Sequence, residues 1–170
     1  MKIASAAVGS LAWLVAAPGT VCGLVPWLIT HWRRPSDPLV LVDFLGFSLA
    51  LAGGTVILHA FVAFAWHGRG TPAPPAPTER LVVQGAYRYV RNPMYVAVVA
   101  QVLGQALLFT SWWLLTYLVV ITVVMDAFVR TYEEPTLRET FGPAYDEFRA
   151  AVPRWLPRLT PWRGTPEVTS

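Results

Sequence analysis

Three long uncharged stretches dominate the hydrophobic pattern of this chain: Ile3 to His31, Phe44 up to Arg69, and Asn92 to Met125. Apolar runs longer than about 18 residues read as membrane spans. The third run holds 34 residues. As one straight helix it would reach about 51 Å, against a hydrocarbon core of about 30 Å. It is therefore read as a helical hairpin turning near Thr110-Ser111. Four spans are predicted, over roughly 6–30, 39–66, 93–109 and 112–132. Pro18, Gly19 and Pro26 predict a kink in the first. Gly53-Gly54 predicts close approach of the second to a neighbour, and His59 within it is read first as a histidine hydrogen-bonded between helices.

Past the last span the period stays helical but the sides diverge. Leu137, Phe141, Tyr145, Phe148 and Val152 are spaced by four, four, three and four and share one face. Gly142-Pro143 interrupts them, and Pro143 suits the first turn of a new helix. Two short interfacial helices are predicted, then an aromatic–basic anchor of Trp155 and Trp162 with Arg154, Arg158 and Arg163. The fold class is all-α: an integral membrane helical bundle of about four transmembrane helices, with a helical hairpin and C-terminal amphipathic interfacial helices. Residues 1–70 form an N-terminal transmembrane pair and 71–84 a proline-rich cytosolic linker around Thr71-Pro72-Ala73-Pro74-Pro75. Residues 85–158 form the functional core and 159–170 a tail.

Composition narrows the class. The 170 residues are 55% hydrophobic and 14% charged, with mean hydropathy +0.47. Soluble domains carry about 25% charged residues. The apolar run after Lys2 continues to Ile29, too long for the core of a cleaved signal. Cys22 is the single cysteine, so no internal disulfide forms and no metal site is expected.

Charge sets the orientation. With four spans, Lys2, Arg69, Arg80, Arg88, Arg91, Arg138, Arg149, Arg154, Arg158 and Arg163 fall on one side, and only Arg33 and Arg34 on the other. Basic loops stay in the cytoplasm, so both termini are expected there, in what is expected to be a bacterial inner membrane. The pI near 9.4 calls for no nucleic acid, because an anionic membrane surface attracts the same residues.

Two polar clusters mark the expected cytosolic ends of the hairpin. The first is Gly85-Ala86-Tyr87-Arg88-Tyr89-Val90-Arg91-Asn92-Pro93-Met94-Tyr95. The second ends a polar stripe, Asp126, Arg130, Glu133 and Glu134. At 100° per residue the first three of these lie within about 60°, with Glu134 at the edge. Ionisable groups at membrane depth usually face a protein interior or wet cavity. The plainer alternative is a set of i,i+4 ion pairs ending an ordinary helix.

The ordered pair of motifs resembles the isoprenylcysteine carboxyl methyltransferase and phospholipid methyltransferase superfamily. Its pattern G-x-Y-R-x-V-R-[HN]-P-x-Y is matched by Gly85 to Tyr95. The following hairpin leads to Glu133-Glu134-Pro135-Thr136-Leu137, Phe141-Gly142, Tyr145 and Val152-Pro153-Arg154. The resemblance covers roughly residues 80–158. It implies S-adenosylmethionine as methyl donor, bound between the cytosolic ends of the last helices, and a hydrophobic or lipid acceptor entering from the bilayer. Carried over by position, Arg91, Glu133 and Glu134 are expected to be catalytic. Tyr87, Arg88, Asn92, Pro93, Tyr95, Glu133 and Glu134 are expected around the cofactor. Asn92 stands where histidine is frequent, and an amide cannot titrate near neutrality.

The residue chemistry agrees with that assignment. Carboxylates bind the ammonium or ribose hydroxyls of such a donor, arginine binds a carboxylate in a bidentate way, and tyrosine faces attract a sulfonium. Methyl transfer is an in-line displacement governed by positioning. A carboxylate or thiolate acceptor needs no base, whereas an ammonium headgroup must first lose a proton. The expected function is thus an integral-membrane methyltransferase of the isoprenylcysteine-carboxyl type on a lipid-borne or hydrophobic small acceptor. Phospholipid N-methylation, a non-catalytic membrane scaffold, or a small transporter using Asp126 and His59 are the competing readings.

Overall fold

The computed structural model describes residues 15–37, 39–67, 81 and 83–164. Lys2, Arg69, Arg80 and the proline-rich stretch of the 71–84 linker lie outside them. All regular elements among the described residues are helical. The first, α1, starts as the π-helical turn run Val15–Leu24 and continues as an α-helix over Val25–Thr30. Then come α2 (Val40–His67), α3 (Pro93–Leu108), α4 (Trp112–Phe128), α5 (Glu134–Phe141) and α6 (Pro143–Ala151). The hairpin break falls where the pattern placed it: Thr110 takes a left-handed φ of 46° between α3 and α4.

Two helical runs are long and apolar enough to cross a membrane: Val40–Ala60 and the continuous run Trp112–Phe141. Only 17% of each apolar window is buried. Phe44, Phe47 and Leu51 in the first and Val119, Val120, Val123 and Val124 in the second point outward, unlike the side chains of a soluble core helix, as membrane segments require. Ala16–Thr30 and Pro93–Leu108 are apolar but shorter. A core of about 30 Å takes about 20 residues. In the Trp112 run that length is used up near Thr131, so α5 lies beyond it.

The chain forms two compact units. One comprises Met1–Pro77 and Met94–Thr122. Within it α2 and α3 pack backbone to backbone through small residues. A Cβ on Gly104 would lie 2.5 Å from the Ala50 nitrogen and the Gly46 carbonyl, and one on Gly53 2.5 Å from the Ala97 carbonyl. Gly53 thus serves the close approach read from the sequence, as small residues do between membrane helices. Pro26 offers no N–H to the turn before it. Side chains of the hairpin fill that gap: Gln105 Nε2 donates to the Cys22 carbonyl at 2.7 Å and the Tyr117 hydroxyl to the Val21 carbonyl at 3.0 Å. At the place of the expected kink the chain forms a wide π-helical run tied down from α3 and α4. His59 corrects the reading of an interhelical histidine: it lies exposed on α2, which also removes one support from the transporter reading.

The second unit comprises Thr78–Pro93 and Val123–Ser170. Its core is Phe141, Tyr145, Phe148 and Val152, with Leu81, Val83, Leu137, Ala151 and Trp162 packed against it. This is the apolar face read from the four-four-three-four spacing. Gly142 separates α5 from α6 at φ +50°, a left-handed conformation that costs glycine little. Pro143 opens α6.

Candidate active site

The site lies wholly in the second unit and is assembled from three chain segments. The first begins with a 3-10 turn, Gly85–Arg88, which Gly85 enters at φ +57°. It leads through Arg91 and Asn92 to Pro93, the first residue of α3, where the missing N–H costs nothing. The second is the junction of α4 and α5. The third is a strap with several bends, Pro153 to Trp162, whose backbone hydrogen bonds to the first run in antiparallel order. Arg91 N–H donates to the Pro153 carbonyl, Arg158 N–H to that of Tyr89, and Trp162 N–H to that of Arg88, each at 2.9 Å. Arg88 Nε donates to the Trp162 carbonyl at 2.6 Å, and Asn92 Nδ2 to the Arg154 carbonyl at 3.3 Å.

The α4–α5 junction is a π-helical turn, Val129–Glu133. Closing i to i+5 takes up about one extra residue, or about 100° of register. Glu134 therefore occupies the angular place that Glu133 would hold in an uninterrupted helix. This corrects the expectation that Glu134 sits at the edge of the stripe: Glu134 is the inward residue, 8% exposed. Arg130, predicted to share that inward face, is mostly exposed and forms an i,i+4 pair with Asp126 at 2.6 Å. For those two the plainer reading of the stripe holds. Asp126 also accepts from Trp155 Nε1 at 2.9 Å.

Glu134 is the hub. Arg91 Nη1 reaches its Oε1 at 2.8 Å, Arg154 Nε reaches the same oxygen at 2.7 Å, and Arg154 Nη2 reaches Oε2 at 2.8 Å. Arg91 and Glu134 are about nine-tenths buried, and Arg154 only slightly less. Two buried guanidiniums on one carboxylate leave local positive charge. Arg91 Nε has no partner and is shielded from solvent. Such an orphaned donor needs a reason.

A model of the phospholipid methyltransferase family matches residues 41–144, well over half of the chain. The chain belongs to that family. No curated protein and no solved structure matches it. Membership in the phospholipid methyltransferase family implies methyl transfer at a membrane in general terms, and it extends the resemblance back over α2. The match ends before Arg154, which supplies two of the three hydrogen bonds to Glu134.

Electrostatics divides the roles within this family member's site. Burial pushes the Glu134 carboxyl up, but the Arg154 hydrogen bonds and the charges of both arginines outweigh it and hold it below the usual carboxylate range. Arg154 is correspondingly held more firmly protonated by Glu134. The Tyr87 phenol is pushed up to about 12, by burial first and then by the Glu133 charge, so it stays neutral near neutrality and Glu133 lies within its electrostatic reach. Tyr145 is raised by burial and by Glu134, with Arg91 acting against them.

The second unit thus brings together Arg91, Asn92, Glu134, Tyr87 and Glu133 of the predicted residues. Arg88 is engaged by the strap, and Asn92 and Pro93 are buried supports. Tyr95, on the first turn of α3, belongs to the first unit. Arg154 and Tyr145 are the residues whose part sequence reasoning missed. By sequence Arg154 belongs with the anchor arginines and Tyr145 with the apolar face, although both stand in the motif that carries the resemblance.

Proposed function

We propose that the chain is an S-adenosylmethionine-dependent methyltransferase acting on a lipid-borne or hydrophobic acceptor, with both termini in the cytoplasm. The observation that carries this is the buried Arg91 side chain, fixed by Glu134 yet left with an unpartnered Nε–H. That donor fits the carboxylate of an amino-acid-bearing cofactor, which arginine binds strongly. Glu133 is placed in sequence and charge to take an ammonium or ribose hydroxyls. When bound, S-adenosylmethionine supplies an electrophilic methyl group; the chain's own residues orient it and exclude water. Asn92, hydrogen-bonded to the strap, braces the segment that carries Arg91.

The ionisation of Glu134 bears on the class of acceptor. With Glu134 held ionised by two arginines, it is a poor proton acceptor, and of the two glutamates Glu133 is the candidate base. This favours an acceptor that is already ionised or ionises readily, such as a carboxylate or thiol. The family description favours a second acceptor, a phospholipid amine, for which Glu133 would take the proton.

Calorimetry in detergent with S-adenosylhomocysteine tests the cofactor. Binding to the wild type, weakened at least tenfold in Arg91→Ala, is expected. A folded wild type that does not bind would support the scaffold reading. Incubation with labelled S-adenosylmethionine and total membrane lipid, followed by identification of the labelled product, separates the acceptors.

A further inference from the structure

The strap presents an unusual surface. Both tryptophans of the anchor read from the sequence turn to protein. The Trp155 indole N–H is bonded to Asp126. The Trp162 ring lies 5.6 Å from that of Phe148, against the core of the second unit. The large apolar side chains of the strap left outward are leucines: Leu156 is 79% exposed and Leu159 100%. Two largely or wholly exposed leucines three residues apart, held on a segment laced by backbone hydrogen bonds, are not explained by packing within the unit.

Their depth is set by the tie at Asp126. That residue stands one turn past Val123 and Val124, exposed valines near the end of the apolar run of α4. Trp155 is hydrogen-bonded at that level, and Leu156 follows it directly. Arg163, at the end of the strap, is exposed as well. Apolar side chains beside free basic ones at the end of a membrane-spanning helix match the headgroup–acyl boundary of an anionic leaflet.

We infer that Leu156 and Leu159 insert into the interface of the bilayer that α4 crosses, making the strap a lipid-docked element. The same strap delivers the Pro153 and Arg154 carbonyls and the Arg154 guanidinium to Arg91, Asn92 and Glu134. Lipid contact and site geometry therefore share one short segment.

Nitroxide labels at positions 156, 159 and 147, each in a Cys22→Ala background, test this in phosphatidylcholine–phosphatidylglycerol nanodiscs. Glu147 is an exposed residue of α6 and serves as the aqueous reference. Collision with oxygen relative to an aqueous nickel complex should be severalfold higher at 156 and 159 than at 147. Adding Trp155→Phe should lower the ratio at 156. Ratios at 156 and 159 equal to that at 147 would overturn the inference. Protection from both reagents would also overturn it, in favour of a protein partner. None of these readouts depends on cofactor binding, so the inference stands or falls apart from the proposed activity.

Discussion

Arg154 grips Glu134 with two hydrogen bonds, Nε to Oε1 at 2.7 Å and Nη2 to Oε2 at 2.8 Å. This fork-on-carboxylate geometry is the strong form of an ion pair. It joins residues twenty positions apart and leaves Oε1 shared with Arg91.

Breaking one side of that buried cluster should be costly. Removing one partner of a buried pair costs about 3–5 kcal/mol because the other charge is left uncompensated. Arg154→Ala and Glu134→Gln are each expected to lower the unfolding temperature in detergent. The double variant should lose much less than the sum. Arg154→Lys should recover only part of the loss, because an ammonium cannot reproduce the fork. Additive losses would show that the pair does not act as a unit.

Tyr87 predicts a decline of stability in alkali. Its phenol is pushed up to about 12 in the folded protein, against about 10 unfolded. A raised folded value gives stability that is present below the unfolded value and lost as pH rises through the folded one. Between about pH 10 and 12 the wild type should therefore lose stability more steeply than Tyr87→Phe. Chemical denaturation at several alkaline pH values provides the comparison, and parallel curves would refute the assignment.

The α2–α3 contact admits no side chain at Gly104. A Cβ there would lie 2.5 Å from backbone atoms of the facing helix, which cannot swing aside as a side chain can. Gly104→Leu should separate the helices and cost more than the roughly 1–3 kcal/mol usual for overpacking. Gly23→Ala is the control, with nothing within 4 Å of the added atom, and should unfold at the wild-type temperature. Thermal unfolding of the two variants decides the matter.

Orientation can be tested by cysteine accessibility. In a Cys22→Ala background, cysteine at Ser36 should react with an impermeant reagent added to intact cells, and cysteine at Glu147 should react only after permeabilisation. The reverse pattern would invert the topology drawn from the arginine bias.

Elements fixed by local chemistry were legible. The turn at Thr110 follows from the mismatch between run length and bilayer thickness, and the break at Gly142-Pro143 from backbone preference. The shared face of Phe141, Tyr145 and Phe148 follows from spacing alone. The site was legible as two clusters, and Arg91 with Glu134 came together as expected. Which glutamate turns inward was not legible, because it depends on a π-turn that an ideal period of 3.6 does not contain. The grip of Arg154 was hidden because arginines near a span have an obvious use at the lipid surface. Only the antiparallel lacing of the strap to residues 88–91 shows which of them turns inward.

The π-turn at Val129–Glu133 makes the chain a shaft with a phase offset. Everything before it is timed to the lipid-facing valines, and everything after it to the arginines of the site. Winding those same five residues as ordinary α-helix, with none removed, would leave composition, charge and hydropathy untouched, yet would rotate α5 by about 100° relative to α4. Glu134 would swing off its two guanidiniums. The spacing between the last apolar turn and the carboxylate pair is thus a quantity counted in whole residues, and an alignment that is exact over the span can still be one step out over the site.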